Sequence, residues 1–179
     1  MGNLTDPIVI DKKEDIKSTQ RWHQRVEPYH HQVTNLITFC RRLPVTLLAD
    51  DVGLGKTISA GLVMSELVAR SRLHNILIVC PKLLGPQWQE EPQQKFNINA
   101  QIATGRQLIE AEPTDDGAVI TTYQSARMYL DSLPHDRFQM LVLDEAHKLR
   151  NLYGVGSPPQ VAVRPESGQA LPTPLIPTE

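Results

Sequence analysis

The chain has 179 residues, of which 40% are hydrophobic and 21% charged, and its formal net charge at pH 7 is −2. These values are ordinary for one globular domain, and they provide no overall electrostatic attraction to nucleic acid. No apolar stretch approaches the roughly 20 residues that span a bilayer, and the N-terminus does not resemble a signal peptide. We therefore expect a cytoplasmic protein without a membrane partner. The two cysteines, Cys40 and Cys80, lack metal-site spacing, so both are expected to be reduced and buried.

The first 42 residues divide into two parts. Residues 1–20 are polar and include the cluster D-K-K-E-D, which predicts a mobile or loosely attached N-terminal arm. Between Arg21 and Arg42, apolar residues recur at helical spacing, and Pro28 stands where a helix can begin. Leu43-Pro44 is then expected to end the helix.

A glycine-containing loop follows within the segment Leu47–Thr57, which reads L-L-A-D-D-V-G-L-G-K-T. The aliphatic residues before the loop predict a strand, and the small apolar residues after it predict a helix. In this arrangement the loop N–H groups and the positive end of the helix bind anionic oxygens. Lys56 can reach the β- and γ-phosphates of a nucleotide, and the Thr57 hydroxyl can complete the shell of a Mg²⁺ ion. The general pattern requires glycine where this chain has Asp50, so a simple capped helix is the alternative.

Strands and helices alternate after the loop. Strands are predicted at Asn75–Cys80, Ala100–Thr104, Ala118–Tyr123 and Met140–Leu143, and helices at Thr57–Arg70, Gly85–Phe96, Gln107–Ala111 and Gln124–Leu133. The continuous apolar run N-I-L-I-V-C is typical of a strand buried on both faces of a parallel sheet. The order predicts an α/β fold with a mostly parallel sheet flanked by helices, in which ligands bind at the carboxyl ends of the strands.

An acidic pair closes the last predicted strand, in the segment L-V-L-D-E-A-H. Carboxylates at the end of an apolar strand are costly unless they meet a cation. We therefore expect Asp144 to hold Mg²⁺ through water and Glu145 to polarise the water that attacks the γ-phosphate. The alternative is a solvated acidic strand end. From Asn151 onward no helix or strand period persists, and six of the chain's 14 prolines lie in the last 29 residues.

Taken together and in order, these motifs resemble the first motor lobe of superfamily-two helicase-like ATPases. The SWI/SNF-type branch, with its bacterial RNA-polymerase-associated translocases, is the most similar. Its first motif, D-E-x-G-L-G-K-T, corresponds to Asp50–Thr57, which accounts for the missing glycine. A strand ending in C-P with a following W-x-x-E corresponds to Cys80–Glu91, the T-T-Y segment to Thr121–Tyr123, and the D-E-A-H box to Asp144–His147.

The resemblance implies a RecA-like P-loop domain over residues 21–164, followed by a disordered proline-rich tail over residues 165–179. It implies ATP and Mg²⁺ as ligands, adenine recognition by Gln32, and nucleotide contacts from Asp51, Gly53, Leu54, Gly55, Lys56 and Thr57. Lys82 and Thr121 become candidates for nucleic-acid phosphate contacts, which position rather than specify, and His147 for coupling. Ordinary solvated side chains are the alternative for Lys82 and Thr121, and an ordinary helix residue is the alternative for His147. The implied partners are double-stranded DNA or another nucleic acid, RNA polymerase and a second motor lobe.

Two parts of the family's motor are not found in this sequence: the S/T-A-T/S or T-G-T-P motif, and the second lobe with its arginine finger. Loss of an arginine finger alone lowers the rate by roughly 10³–10⁵. We therefore expect a truncated lobe, incomplete at its C-terminal end, that binds ATP weakly and hydrolyses little on its own. One alternative is a non-enzymatic fragment that pairs with a separate second lobe. Another is a different P-loop NTPase, which the lack of an N-K-x-D motif or arginine-rich lid disfavours.

Overall fold

A computed structural model describes residues 5–22, 26–48, 55–112 and 115–147 of the chain. The chain divides into two compact units, Met1–Ala146 and His147–Glu179, and His147 is the one described residue of the second unit. The predicted tail over residues 165–179 and the predicted domain boundary at residue 164 therefore lie outside the described residues.

The first unit is an α/β domain built on one parallel sheet. Its α-helices among the described residues are α1 (His30–Arg41), α2 (Lys56–Ala69), α3 (Gly85–Phe96), α4 (Gln107–Glu110) and α5 (Tyr123–Tyr129). Its strands are β1 (Asn75–Cys80), β2 (Ala100–Ile102), β3 (Gly117–Thr122) and β4 (Met140–Leu143). They form a four-stranded sheet in the order β2-β3-β1-β4, and every pairing is parallel. The predicted fold class is confirmed. Within the described part of the chain, no helix combines the length and apolarity needed to cross a membrane.

Strand β1 lies between β3 and β4 and is the centre of the sheet. Because side chains alternate along a strand, its apolar residues supply both faces. Ile76 and Ile78 belong to a core shared with residues of α1, α2 and α3. Leu77 and Val79 belong to a second core, shared with residues of α4 and α5. The continuous apolar run of β1 therefore reflects helices on both faces, as its sequence predicts.

The N-terminal segment differs from its prediction. Ile8, Ile10 and Ile16 are buried in the core that contains α1 and α2. The Ile8 N–H donates to the Cys40 carbonyl oxygen at 2.7 Å. The expectation of a loosely attached arm is wrong for residues 5–20, because three isolated isoleucines anchor an otherwise polar segment.

The residues before the phosphate loop also differ from their prediction. Residues 45–48 contain no strand, and Val45 and Leu47 are more than four-fifths exposed, at 83% and 82%. A strand requires a neighbour for its backbone hydrogen bonds. None of the described strands pairs with this segment, so its aliphatic composition alone does not produce a strand.

Candidate functional site

Helix α2 begins directly after Gly55, so Lys56 and Thr57 are its first two residues. Gly55 has φ +75°, in the left-handed region that favours glycine, and its carbonyl oxygen accepts the N–H groups of Ile58 and Ser59 at 2.9 and 3.1 Å. The N–H groups at the start of a helix and the helix dipole together favour anions. The Gly-Lys-Thr triplet therefore lies at the N-terminus of a helix, which is the position that phosphate binding requires. The other predicted loop residues, Asp51, Gly53 and Leu54, lie outside the described residues.

Gln32 lies against this helix start, although it comes from α1. Its side chain is only 3% exposed, and its Oε1 accepts the Tyr29 N–H at 3.0 Å. A Cβ atom added to Gly55 would lie 2.8 Å from the Gln32 Nε2. A side chain at Gly55 would thus require the Gln32 amide to move. The structure brings together a predicted adenine-binding residue and a predicted phosphate-loop residue that are 23 positions apart.

An open cavity of about 620 Å³ adjoins this contact. Its lining combines apolar and polar side chains from the segment before α1, from α1, from α2 and from the end of α3: Val26, Glu27, Pro28, Tyr29, Gln32, Ile58, Gln94 and Lys95. Tyr29 is 71% exposed and its ring stacks on that of His31, with the ring centroids 5.7 Å apart. An aromatic ring, an aliphatic side chain and an amide beside a phosphate-binding helix suit a planar nucleobase.

Asp144 follows the last residue of β4, at the carboxyl edge of the sheet. Its N–H continues the sheet pairing by donating to the Val79 carbonyl oxygen at 2.9 Å. The indole N–H of Trp88 donates to the Asp144 Oδ2 at 2.8 Å, and the hydroxyl of Tyr123 donates to the Asp144 carbonyl oxygen at 2.6 Å. Three hydrogen bonds from three elements therefore fix this acidic residue.

Glu145 has φ +57°, which is uncommon for a residue other than glycine. Such a conformation persists only where the surrounding structure maintains it, and it recurs at functional sites. Glu145 and Asp144 are half-buried.

His147 is exposed, and it belongs to the second unit of the chain. Across residues 5–22, 26–48, 55–112 and 115–147, no group of three His, Cys, Asp or Glu side chains forms a metal cluster.

Burial raises three pKa values in the first unit. It raises the pKa of the Cys80 thiol from 9.0 to about 11, with a further contribution from the negative charge of Asp144. The pKa of Cys40 rises to about 11 through burial first and then through Glu66. Burial also raises the pKa of the Tyr123 hydroxyl to about 12, and the negative charge of Asp144 contributes to the same rise. Tyr123 thus remains a hydrogen-bond donor throughout the neutral range. Both cysteines are reduced and buried, as their spacing predicts.

We expect the folded chain to lose stability as the pH rises from about 9 to about 11. An unfolded thiol ionises near pH 9, whereas the folded thiols keep their protons until about pH 11, so the folded state binds more protons in this window. Urea unfolding at pH 8, 9, 10 and 11 measures the loss. The Cys40→Ala, Cys80→Ala double variant should lose less between pH 9 and 11, and an identical decline in both proteins would contradict the assignment.

Two candidate nucleic-acid residues have different surroundings. Lys82 is exposed, in a short 3-10 helix (Lys82–Leu84) that follows β1. Thr121 is only 1% exposed within β3, so its burial contradicts the prediction that it contacts a phosphate backbone. Trp88 and Tyr123 were not predicted from the sequence to be site residues. Each belongs to a motif already quoted for the family resemblance, and that was the available signal.

Comparison with known proteins identifies the family. The SNF2-related domain matches residues 15–154, which is more than half of the chain. This chain belongs to the SNF2-related domain family. The resemblance of its motifs to the SWI/SNF-type branch of helicase-like ATPases is therefore confirmed.

Curated relatives of this SNF2-related domain are much longer than the chain. The RNA polymerase-associated protein RapA of Vibrio vulnificus (strain YJ016) is 39% identical over 119 residues, which cover 61% of this chain and 12% of RapA. YqhH of Bacillus subtilis (strain 168), an uncharacterized ATP-dependent helicase, is 39% identical over 106 residues, covering 59% of this chain and 18% of YqhH. The chain thus spans less than a fifth of either relative.

A solved structure supports the fold of the SNF2-related domain. The Sulfolobus solfataricus SWI2/SNF2 ATPase core in complex with dsDNA matches with a TM-score of 0.54 and 23% sequence identity. The match covers 72% of this chain and 30% of the archaeal chain. At this identity the likeness establishes the fold, which is the RecA-like fold that the motifs predict.

Proposed function

We propose that this chain binds ATP with Mg²⁺ as the first motor lobe of a SNF2-type, nucleic-acid-dependent ATPase. The observation that carries the proposal is the start of α2, where Lys56 and Thr57 directly follow Gly55 and Gly55 lies against the buried amide of Gln32. Membership of a helicase-like family supports it, because the phosphate loop and the acidic pair of that family serve ATP.

Different residues of the chain bind different parts of the nucleotide. Lys56 neutralises charge on the β- and γ-phosphates, and the N–H groups at the start of α2 point toward the anion. Asp51, Gly53, Leu54 and Gly55 complete the set of residues proposed to contact the nucleotide. Gln32 directs its amide toward adenine, and the cavity that it lines with Tyr29 and Ile58 holds the base.

The residues around Asp144 fit a magnesium ion. Only the Oδ2 oxygen accepts a hydrogen bond from a described side chain, so Oδ1 can face the ion or its water shell. Mg²⁺ prefers oxygen ligands and is usually held by one or two carboxylates with several waters. The Thr57 hydroxyl supplies a second protein oxygen. When bound, the ion offsets the charge that develops on the phosphates, while Glu145 orients and polarises the attacking water.

The nucleic-acid partner is double-stranded DNA in this proposal. The archaeal neighbour of the same fold is described in complex with dsDNA, and the Vibrio relative is named as an RNA polymerase-associated protein. The exposed Lys82, in the 3-10 helix that follows β1, contacts the phosphate backbone, and His147 couples that contact to the nucleotide. RNA polymerase and a second motor lobe complete the assembly.

We expect Lys56→Ala to weaken binding of a fluorescent ATP analogue at least tenfold, because the lysine charge pairs directly with phosphate oxygens. Equilibrium titrations with and without Mg²⁺ measure the loss on the purified chain. Lys12→Ala is the matched control, since Lys12 is exposed in the N-terminal segment and should leave binding unchanged. Equal affinity of the Lys56→Ala variant and the wild type would overturn the proposal.

A non-enzymatic pairing subunit is the second candidate, and one surface favours it. Among the described strands, β4 pairs only with β1, and its Leu141 and Leu143 side chains are exposed. Such an edge can accept a further strand from another polypeptide. The same titration separates the two functions, because a folded chain without any nucleotide affinity would favour the pairing role.

A further inference from the structure

We infer that Trp88 is a positioning residue for magnesium binding: its indole N–H holds one oxygen of Asp144 and thereby directs the other toward the ion. The inference rests on the proposed function, because it assigns Asp144 to the magnesium site. It concerns a residue of α3 that lies 56 positions before Asp144 in the chain.

The geometry of the contact is that of an orienting hydrogen bond. The indole Nε1 lies 2.8 Å from the Asp144 Oδ2, a distance typical of a donor paired with a charged acceptor. Trp88 is 3% exposed and packs in the core with α1 and α2, so its ring has little freedom to follow a moving carboxylate. The fixed indole therefore restrains the rotation of the Asp144 side chain.

The main chain of Asp144 is restrained independently. Its N–H bonds to the Val79 carbonyl oxygen, and its carbonyl oxygen accepts the Tyr123 hydroxyl. With the backbone held by β1 and α5, the side-chain torsion is the remaining freedom of Asp144, and Trp88 occupies one of its two oxygens. A metal ligand whose orientation is fixed in advance binds its ion more tightly, and loss of such a partner typically costs about 10–100-fold in metal affinity.

A purely structural role for Trp88 predicts a different result. A core tryptophan that only filled space would, when replaced, lower stability and weaken nucleotide binding equally with and without Mg²⁺. A positioning residue instead changes the magnesium dependence and leaves magnesium-free binding intact. The chain has two tryptophans, and Trp22 supplies the control because its buried indole N–H has no acceptor among the described residues.

The first measurement is the magnesium dependence of ATP-analogue binding in Trp88→Phe, in Trp22→Phe and in the wild type. Trp88→Phe keeps an aromatic ring and removes the N–H. We expect it to raise the magnesium concentration for half-maximal binding by about tenfold or more, with unchanged affinity in the presence of a chelator. Trp22→Phe should match the wild type. A Trp88→Phe variant with wild-type magnesium dependence would overturn the inference.

The second measurement keeps Trp88, and its main comparison, between Asp144 and Asn at position 144, uses no nucleotide. In a Trp22→Phe background, Trp88 is the sole source of tryptophan emission. The excited indole moves electron density away from its pyrrole ring, so a negative charge beside the N–H lowers the emission energy. Asp144→Asn should therefore shift the emission to shorter wavelength, and saturating Mg²⁺ with ATP should do the same when Asp144 is present.

The outcomes of the two measurements are distinguishable. Unchanged emission in the Asp144→Asn variant would overturn the contact itself, even if Trp88→Phe failed to fold. A wild-type chain that bound no nucleotide would overturn the proposed function, and the positioning role with it, whatever the emission showed. Normal nucleotide binding with a magnesium dependence insensitive to Trp88→Phe would overturn the positioning role alone.

Discussion

Replacement of Glu66 by alanine is expected to lower the free energy of unfolding by about 3–5 kcal/mol. Glu66 lies in α2 and is fully buried. Its carboxylate accepts the N–H groups of Lys17 and Ser18 at 3.1 and 2.8 Å and the Nε–H of Arg70 at 2.7 Å. Without it, the Nε–H of Arg70, whose side chain is 16% exposed, and two backbone amides lose their acceptor together.

Urea unfolding of Glu66→Ala against the wild type measures this loss. The matched control is Glu110→Ala, whose carboxylate is 72% exposed and lies 3.8 Å from Arg106, so that it should change stability by less than about 0.5 kcal/mol. A similar small effect for Glu66→Ala would mean that the N-terminal segment is not held by this carboxylate. Amide exchange should also increase at Lys17 and Ser18 in the variant, because both N–H groups lose their partner.

Alanine at Gly61 is expected to destabilise the chain although alanine is the better helix former. Gly61 lies within α2, and an added Cβ would stand 2.6 Å from the Cδ2 of Phe96, with another atom of the ring closer still. Phe96 is 1% exposed and closes the core at the end of α3, so its ring cannot swing into solvent. The overpacking costs roughly 1–3 kcal/mol net, after the gain of about 1 kcal/mol in helix propensity.

A double-mutant cycle tests the cause of that cost. Phe96→Ala alone should lower stability by about 3–5 kcal/mol, because it leaves a cavity in the core. In the Phe96→Ala background, Gly61→Ala should cost little or become favourable, since the methyl group then occupies vacant space. Coupling of about 1 kcal/mol or more between the two sites supports the contact. Additive effects, measured by urea unfolding, would show that Gly61 is required for a reason other than Phe96.

The order of elements could be predicted from the sequence because its signals are local. The apolar run of β1, the helical spacing before Arg42 and the Gly-Lys-Thr triplet each lie within a few residues of the structure that they specify. The predicted strand before the phosphate loop failed for the opposite reason. Val45 and Leu47 have the composition of a strand, but a strand also depends on a neighbour elsewhere in the chain.

The contacts that build the candidate site and anchor the N-terminal segment could not be predicted in the same way. Trp88 and Asp144 are 56 positions apart, and the Ser18 N–H and Glu66 are 48 apart. Each residue taken alone has an ordinary structural explanation. Trp88 could be a core aromatic residue, Ser18 a polar residue of the N-terminal arm, and Glu66 a charged residue on a helix. The order of the motifs indicated Asp144 as a site residue. The same order showed Trp88 only as an aromatic residue of another motif, and not as the partner of Asp144.

Helix α3 links the two halves of the candidate nucleotide site mechanically. Near its start Trp88 bonds to Asp144, and at its last residue Phe96 presses on Gly61 in the helix that begins with Lys56. These two points are eight residues apart, or about 12 Å along the helix axis. A displacement of α3 would therefore disturb both the residue that follows β4 and the helix that begins with Lys56.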